Sequence, residues 1–409
     1  MPWLRSLGFV LLCAGMVSAG DWPQWLGPTR DGATPEKIAP WKETPKLLWR
    51  VPVGEGHSSP IVAGGKVFLH AKAKDKDEEE VLACDAASGK EIWRQSYPRA
   101  AFKSIFGVGP RATPALDKDK LYTFGVTGIL TCWDAASGKQ LWQVDTLKEF
   151  KAANLFFGAS CSPLVEGGNV LVNVGGPGAS VVAFEKEKGG VAWKALDDKA
   201  SYSSPIAIGQ GQDRQVVFLT QKGLVGLAPG SGAVNWQFQL VDKLSESSTT
   251  PTLVGDLLLG SSVTYGSAAL KIATKDGKPA ATEAWKNPAL TCYFSTPVAV
   301  GQDQVYMVTG SILPPPSANL RCVDVKSGKE LWSKAKIGKY HAALLRTGDD
   351  KLLVHDDGGG LTLLEPNAKE YKELAQSKIC GPTWAHPALA NGKLYVRDDK
   401  WLLCFQFGE

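Results

Sequence analysis

Residues 83–93 read ACDAASGKEIW, and nearly the same sequence recurs as CWDAASGKQLW at residues 132–142 and as CVDVKSGKELW at residues 322–332. In each copy an Asp lies eight residues before a Trp, and a Gly lies four residues before that Trp. Asp can accept hydrogen bonds from the backbone ahead of it and so start a turn, and Gly permits the positive φ that the turn needs. The pattern predicts a β-hairpin with an apolar strand before the Asp and a second strand that carries the Trp. Weaker copies end at Trp193 and Trp236.

A second pattern, Ser, Thr or His followed by Pro, recurs between these hairpins and precedes a short apolar segment each time. Its prolines are Pro60, Pro114, Pro163, Pro205, Pro251, Pro297 and Pro387. A degenerate eighth copy has Leu344 at this position. Pro is tolerated at the first residue of a strand, where the sheet loses no donor. Together the two patterns predict eight units of four antiparallel strands, named A to D, which is typical of an all-β, eight-bladed propeller.

The two ends of the repeat region complement each other. Residues 387–405 contain strands A, B and C of a last unit without a strand D, whereas residues 46–51 resemble a strand D alone. Pairing the two would close the ring and cover two strand edges. We therefore predict one propeller domain over residues 45–409, closed by its N-terminal strand.

Residues 1–19 have the features of a secretory signal peptide: a basic residue near the start, a short apolar run, and small residues up to Ala19. The apolar run is too short to span a bilayer, and no second long apolar stretch follows it. We therefore predict export to the periplasm or the cell exterior without a membrane span. The mature chain would begin at Gly20 or Asp21, with an N-terminal arm over residues 20–44.

The composition excludes some classes of function. The charge is nearly balanced, with 45 Lys and Arg against 41 Asp and Glu, so no nucleic-acid partner is expected. Of the eight cysteines, one lies in the signal peptide, and the rest form no adjacent pair and no CxxC motif. Several occupy the same strand position in different repeats, so we interpret them as small buried residues rather than as a disulfide framework.

The pattern Ala-x-Asp-x-x-x-Gly-Lys-x-x-Trp resembles the tryptophan-docking motif of the pyrroloquinoline-quinone (PQQ)-like propeller family. In that family the Trp of one blade stacks on the Gly peptide of the next. The resemblance implies a structural docking role for Trp93, Trp142, Trp193, Trp236 and Trp332. It covers residues 45–409, and residues 21–32 resemble the leader of secreted members of planctomycete type.

The resemblance implies two kinds of function. Some family members are oxidoreductases that use PQQ and a metal ion such as Ca²⁺, whereas others, of the BamB assembly-factor type, are non-catalytic. Many of the enzymes carry an adjacent-cysteine disulfide, which this sequence lacks, and no Glu, Asn and Asp ligand set matches by motif. We therefore expect a monomeric, non-catalytic binding or scaffold protein without catalytic residues, metal or cofactor. The alternative is a dehydrogenase of alcohols or sugars that uses PQQ and Ca²⁺.

The residue three positions before each repeat Pro, or before Leu344, is predicted to lie at the upper mouth of the central channel. The eight residues at this position are His57, Arg111, Ser160, Tyr202, Ser248, Phe294, His341 and Trp384. The six larger ones are candidates for binding a flat or anionic small molecule or a saccharide, because aromatic faces stack and Arg pairs with carboxylates. The alternative is that these side chains only pack against neighbouring blades.

The longest connections between blades, residues 94–113 and 143–162, are predicted to lie on the same upper face. They carry Phe102, Phe106, Phe156 and Phe157. Loops that lengthen on one face of a rigid scaffold commonly hold the binding site, so these residues are candidates for contact with a protein partner. Alternatively, they tuck under their own loops.

Overall fold

The computed structural model describes residues 20–275, 277–311 and 315–407, so the predicted signal peptide lies outside the described residues. Within this part of the chain, 32 strands form eight antiparallel sheets of four strands each. The predicted eight-bladed propeller is confirmed. The described helical elements are α1 (Thr146–Glu149) and a 3₁₀ turn (Gly211–Asp213), and none of them is long and apolar enough to cross a membrane.

The strands of the first half of the ring are, in chain order, β1 (Leu47–Pro52), β2 (Ile61–Ala63), β3 (Lys66–Lys72), β4 (Glu78–Asp85), β5 (Glu91–Pro98), β6 (Ala115–Asp117), β7 (Lys120–Phe124), β8 (Ile129–Asp134), β9 (Gln140–Asp145), β10 (Leu164–Glu166), β11 (Asn169–Gly176), β12 (Ala179–Glu185), β13 (Val191–Ala195), β14 (Ile206–Ile208), β15 (Gln215–Leu219), β16 (Gly223–Leu227) and β17 (Val234–Gln239). The strands of the second half are β18 (Thr252–Val254), β19 (Leu257–Ser262), β20 (Gly266–Lys275), β21 (Lys278–Asn287), β22 (Val298–Val300), β23 (Gln304–Ser311), β24 (Ser317–Asp324), β25 (Glu330–Gly338), β26 (Ala342–Arg346), β27 (Leu352–Asp356), β28 (Gly360–Leu364), β29 (Glu373–Lys378), β30 (Ala388–Ala390), β31 (Lys393–Arg397) and β32 (Trp401–Gln406).

Burial differs between the strands of a blade and explains their sequences. The middle strands are covered on both faces by neighbouring blades, so β15 is buried at all five positions and reads as a continuous apolar run after Gln215. The outer strands keep one face in solvent, so β5 buries Trp93 and Tyr97 and exposes most of its other residues. The core of the molecule therefore lies between the blades.

Blade 8 is built from both ends of the repeat region. Blades 1 to 7, numbered in chain order from β2–β5 to β26–β29, consist of four consecutive strands each, whereas the order in blade 8 is β30, β31, β32, β1. β1 pairs antiparallel with β32, from Leu47 opposite Phe405 to Pro52 opposite Trp401. The predicted closure by the N-terminal strand is confirmed. Because β1 pairs with β32, blade 8 has four strands like the other seven blades, and β1 forms its outer edge.

Trp residues of the outer strands join neighbouring blades. Trp93 donates its indole N–H to a carbonyl oxygen of blade 2 at 3.1 Å, and a Cβ on Gly138 would come within 2.6 Å of the Trp93 ring. Trp142 joins blade 2 to blade 3 through the same pair of contacts, and Trp193 joins blade 3 to blade 4. Trp49 of β1 joins blade 8 to blade 1 in this way.

Trp236 departs from this pattern, because its indole does not meet the glycine of the next hairpin, although it shares a buried cluster with Leu258 and Leu270 of the next blade. Its indole N–H donates to the side-chain oxygen of Gln215 at 2.6 Å within its own blade. Gly277, in the equivalent hairpin of the next blade, has no atom within 4 Å of its Cβ position, because the hairpin of β20 and β21 is longer and carries this turn away. Trp332 donates to the carbonyl oxygen of Asn367 at 2.6 Å, in a turn of blade 7 that has no glycine.

Hydrogen bonds at the repeat prolines link neighbouring inner strands at five places around the ring. The backbone N–H of Ser59 donates to Thr113 Oγ1 at 3.1 Å, and the N–H of Thr113 donates to Ser162 Oγ at 2.9 Å. The same bond joins blades 3 and 4, blades 5 and 6, and blades 8 and 1. Between blades 4 and 5, the hydroxyl of Thr250 instead accepts the indole N–H of Trp25 at 2.8 Å. Each of the six Ser and Thr hydroxyls before these prolines therefore accepts a hydrogen bond from another segment.

Residues 20–46 cross the lower side of the ring, at the far ends of the inner strands. Trp22 and Val62 exchange two backbone hydrogen bonds, at 2.6 and 2.8 Å. The buried guanidinium of Arg30 donates to the carbonyl oxygen of Ser162 at 3.1 Å. These contacts attach the segment to blades 1 and 3, and Trp25 between them lines the cavity of the channel.

The seven cysteines of the described residues are free thiols, and all except the half-buried Cys380 are buried. Burial raises the pKa of Cys161 to about 11 and the pKa of Cys292 to about 12. These thiols are therefore protonated at neutral pH and are poor nucleophiles. Cys84, Cys132, Cys322 and Cys404, which share one strand position of the repeat, are buried as predicted.

Candidate functional site

One cavity at the upper end of the channel is lined by all eight blades. The antiparallel order of the strands brings the D–A connections together at this end, where each leads into an inner strand. All eight residues predicted from the repeat line this cavity: His57, Arg111, Ser160, Tyr202, Ser248, Phe294, His341 and Trp384. The space inside the cavity is about 110 Å³, which is room for a few water molecules or a small ligand.

Aromatic rings contact one another in this cavity and narrow its mouth. The ring centre of Trp384 lies 4.8 Å from that of Phe294 and 5.9 Å from that of Phe106. Phe157 extends the cluster to Tyr202, with ring centres 5.3 Å apart. These are ordinary distances for tilted and edge-to-face aromatic pairs. The sequence left open whether these aromatic residues line a cavity or pack against neighbouring blades. In the structure they do both.

The floor of the cavity contains residues that the sequence analysis missed. Trp25 enters the channel from below, and its ring centre lies 4.5 Å from that of His386. Ser162 and Ser204 complete the polar part of the floor. His386 was detectable, because it stands before Pro387, where the other repeats have Ser or Thr. Trp25 carries no such signal, because it lies outside the repeats.

Arg111 brings a formal positive charge to the cavity wall. Its guanidinium donates to the carbonyl oxygens of Gly109 at 2.8 Å, Gly107 at 3.0 Å and Phe106 at 3.2 Å, and it lies over the ring of Phe102. Burial lowers the pKa of Arg111 to about 10, so it stays charged at neutral pH. No Asp or Glu is among the described residues that line the cavity. The site therefore favours a neutral or anionic molecule over a cation.

Two histidines present unpaired ring nitrogens in this cavity. His341 and His386 are each 3 % exposed, and their ring centres lie 5.5 Å apart. Nδ1 of His341 bonds to the hydroxyl of Ser295 at 2.9 Å, whereas His341 Nε2 and both nitrogens of His386 have no partner among the described residues. Burial lowers the pKa of His341 to about 4 and holds the pKa of His386 well below its usual value. Both rings are therefore neutral and can bond to water or to a bound molecule.

We expect the melting temperature to fall as the pH is lowered from 6.5 towards 4. His341, His355 and His386 are buried and have lowered pKa values, so in this window the unfolded chain binds protons that the folded chain does not. Each histidine should lower the free energy of unfolding by up to about 1.4 kcal/mol per pH unit. Thermal melts across this range would measure the slope, and His386→Gln should reduce it. A melting temperature at pH 5 equal to that at pH 7 would contradict the expectation.

The lining does not fit PQQ with Ca²⁺. This ion takes about six to eight oxygen ligands, commonly carboxylates, and none of the described lining residues is acidic. The described part of the chain also contains no group of three or more His, Cys, Asp or Glu residues that could hold a metal ion. In addition, Trp384 occupies the mouth between the rings of His57 and Phe294. No step of a quinone-dependent reaction follows from these residues.

The long connections beside the cavity have a buried layer and an exposed layer. Phe157 is 8 % exposed and packs against Phe106, so it cannot form the partner contact predicted for it. Phe102 is half-buried next to the guanidinium of Arg111. Phe156 is 69 % exposed and rests on the ring of Phe157, and Ile105 is 88 % exposed. Of the four predicted phenylalanines, Phe156 is therefore the most exposed.

The relatives of this chain include assembly factors and enzymes. It is 25 % identical over 341 residues to the outer membrane protein assembly factor BamB of Yersinia pestis, and the match covers 78 % of this chain and 81 % of that one. It is 27 % identical over 186 residues to the quinohemoprotein alcohol dehydrogenase ADH-IIG of Pseudomonas putida. That match covers 44 % of this chain and 24 % of the enzyme. The similarity to the enzyme is therefore local, whereas the similarity to BamB extends along most of both chains.

Solved structures from both groups share the fold. The quinohemoprotein alcohol dehydrogenase of Comamonas testosteroni matches with a TM-score of 0.69 over 95 % of this chain and 81 % of the enzyme. BamB of Moraxella catarrhalis matches with a TM-score of 0.60 over 89 % of this chain and 100 % of BamB. Each is 14 % identical, so these two likenesses concern the fold alone. A family model described as outer membrane protein assembly factor BamB matches residues 77–334, which is more than half of the chain. The chain therefore belongs to this family of PQQ-like β-propellers.

Proposed function

We propose that this protein is an exported, non-catalytic propeller that binds a protein partner on its upper face. The observation that carries the proposal is the exposure of Ile105 and Phe156 on two neighbouring long connections beside the cavity. A partner that covers large apolar side chains removes them from water, which lowers the free energy of the system. Exposed apolar patches therefore mark interaction sites. The BamB relatives, which are named for the assembly of outer membrane proteins, support a scaffold rather than an enzyme.

Both Phe156 and the connection that carries Ile105 are held in place by neighbouring residues. Phe156 rests on Phe157, whose ring is packed between Phe106 and Tyr202. The connection that carries Ile105 is held by three hydrogen bonds from the guanidinium of one arginine to its own backbone. A surface that is already ordered loses little conformational entropy on binding, which favours affinity.

We also propose where the partner is found. Export by residues 1–19 would place the propeller in the periplasm or outside the cell, so its partner would be a protein of that space. Because the BamB relatives are named for outer membrane protein assembly, outer membrane proteins and their assembly machinery are the first partners to test.

We expect a photo-crosslinking amino acid at position 156 to capture a defined protein in living cells. The same amino acid at position 92 is the matched control, because Ile92 is also an exposed apolar residue, at 45 %, but lies on an outer strand. Ile105→Asp should reduce capture at position 156 by about tenfold or more, because it places a charge in the apolar contact. Mass spectrometry would identify the adducts. The same adducts at both positions, or capture unaffected by Ile105→Asp, would contradict the proposal.

A small ligand in the cavity is a second candidate function. It is favoured by the unpaired nitrogens of His341 and His386, which lie beside aromatic faces in a cavity without acidic residues. A saccharide offers hydroxyl groups that both donate and accept, and an apolar face that stacks on rings such as Trp384. Titration with D-glucose, followed by Trp fluorescence in the native protein and in His386→Leu, tests this candidate.

A further inference from the structure

The N-terminal arm bonds to the inner strands along the edge that faces the channel. The residue two positions after each repeat Pro, or after its equivalent in blade 7, is named the edge residue of its blade. The edge residue of blade 1 is Val62, which exchanges two backbone hydrogen bonds with Trp22. The edge residue of blade 2, Leu116, donates its N–H to the carbonyl oxygen of Pro23 at 2.9 Å. Consecutive residues of the arm therefore bond to consecutive blades.

The arm binds two further edge residues in the same way. Arg346 of blade 7 donates its N–H to the carbonyl oxygen of Gly32 at 2.8 Å, and its own carbonyl oxygen accepts the N–H of Thr34 at 2.9 Å. In blade 8 the carbonyl oxygen of Leu389 accepts the hydroxyl of Thr34 at 3.4 Å. The contacts at Val62 and Arg346 are β-bridges, so the inner edges of this propeller bind an extended segment through its backbone.

The edge residues of blades 3 to 6 have no such contact. They are Val165, Ala207, Leu253 and Ala299, and no backbone hydrogen bond joins any of them to the described arm. Ala207, Leu253 and Ala299 are the middle residues of three-residue strands, as Val62 is. In an antiparallel pair the backbone groups of alternate residues point away from the partner strand. These three residues therefore present an N–H and a C=O to the channel.

The exposure of the edge position reflects this difference between blades. Val62 and Leu389, which the arm contacts, are each 1 % exposed, whereas Leu253 is 37 % exposed. All three are aliphatic residues at the same position of the repeat, so the difference comes from the segment that covers them. Leu253 is thus an apolar residue at a position that is buried wherever an extended segment lies over it.

The uncovered edge residues line a groove beside the arm, which we call the lower groove. Its larger part is a cavity of about 520 Å³ lined by Val165, Ala207 and Leu253, which is within the range of binding sites. A smaller cavity is lined by Leu253, Ala299 and Arg346. Because Leu253 lines both, the two cavities adjoin and follow the edge residues from blade 3 to blade 7.

The lining of the lower groove suits a polypeptide backbone better than a small ion. The charged side chains of its larger part already have partners: Arg214 donates two hydrogen bonds to Glu166, Arg30 donates to two carbonyl oxygens of blade 3, and Asp31 accepts two bonds from within the arm. The backbone of a strand edge offers one donor and one acceptor per residue, which is the complement of another extended chain. Leu253 adds an apolar contact for a side chain.

We infer that the lower groove binds an extended peptide segment of another protein. The peptide bonds through its backbone to Ala207, Leu253 and Ala299, as the arm bonds to Val62 and Arg346, and an apolar side chain of the peptide covers Leu253. The groove lies at the other end of the inner strands from the cavity mouth. This inference therefore does not rest on the partner proposed for the upper face.

The first test is amide hydrogen exchange of the protein alone, measured for single residues. We expect the amides of Ala207, Leu253 and Ala299 to exchange at least about tenfold faster than those of Val62 and Arg346, because the latter two donate to the arm. Equal protection of the two groups would overturn the inference, since the donors of the groove would then already be paired.

The second test uses a phage-displayed library of random dodecapeptides, selected on the protein. A selected peptide is then synthesised with a fluorescent label, and its binding is measured by fluorescence polarisation. We expect Ala207→Pro to weaken binding by about tenfold or more, because Pro removes the N–H that faces the groove and is tolerated where a strand edge faces away from its sheet. The matched control, Ala207→Ser, keeps this N–H and should change the affinity by less than about twofold.

Two further comparisons make the test independent of the folding of one variant. Ala299→Pro removes the equivalent donor in blade 6 and should also weaken binding. N-methylation of the backbone amides of the selected peptide should abolish binding to the unaltered protein, because the peptide then loses its own donors.

Three outcomes would overturn the inference. The first is a library that yields no binding peptide, and the second is a peptide that binds the Pro and Ser variants equally. The third is a dimer in light scattering that Ala207→Pro dissociates, because the edges would then be occupied by a second copy of this chain.

Discussion

A chain that begins at residue 53 should fail to form a stable propeller, whereas a chain that begins at residue 45 should fold. The shorter chain lacks β1, so β32 is left as an open edge and blade 8 has three strands. It also loses Trp49, which is 9 % exposed, packs on Gly89 and joins blade 8 to blade 1. Removing a buried Trp side chain alone costs about 3–5 kcal/mol, which is comparable to the whole stability of many domains.

Circular dichroism melts of the two chains would measure this effect. Neither chain has the arm over residues 20–44, so the arm does not contribute to the difference. Addition of a peptide of residues 45–53 to the shorter chain should restore part of the cooperative melt, because the missing strand can pair from outside. Equal and cooperative melts of both chains would show that closure by β1 does not hold the ring together.

Gly138→Ala should destabilise the propeller by about 2–5 kcal/mol, and Gly277→Ala by about 1–2 kcal/mol. Both glycines have φ of 74° in equivalent hairpins, so both substitutions add the strain of a left-handed backbone. Gly277 has nothing within 4 Å of its Cβ position, whereas a Cβ on Gly138 would come within 2.6 Å of the Trp93 ring. The Trp must therefore move, and its indole bond to Ala135 weakens.

Chemical denaturation of the two variants and the parent would give the free energies of unfolding. The difference between the variants isolates the contact with Trp93, because the backbone strain is common to both. If the two substitutions cost the same, the approach of Trp93 to Gly138 contributes nothing to stability, and the docking interpretation of these repeats would be wrong.

Much of the fold could be predicted because the repeats encode local hydrogen bonding. An Asp that starts a turn, a Gly with positive φ and a Trp in the next strand specify a hairpin wherever they occur, as at Asp85, Gly89 and Trp93. Trp236 shows the limit of this reasoning. Its spacing to Gly232 matches the pattern, but its partner depends on the length of a hairpin in another blade.

The candidate site was partly predictable for the same reason. A position three residues before each repeat Pro, or before Leu344, recurs eight times, and the ring brings all eight copies to one mouth. The sequence could not separate Phe156 from its neighbour Phe157, because both have the same apolar character. Only the packing around them leaves one 69 % exposed and buries the other.

The sequence by itself determined the number of blades, the strand that closes the ring and the residues at the channel mouth, because each depends on a pattern that is local and repeated. The tertiary structure decided which of those residues stay in contact with solvent and that Trp25 enters the channel from below. These contacts join segments that are far apart in the chain and occur once. No periodicity marks them, and they exist only when the closed ring brings their partners together.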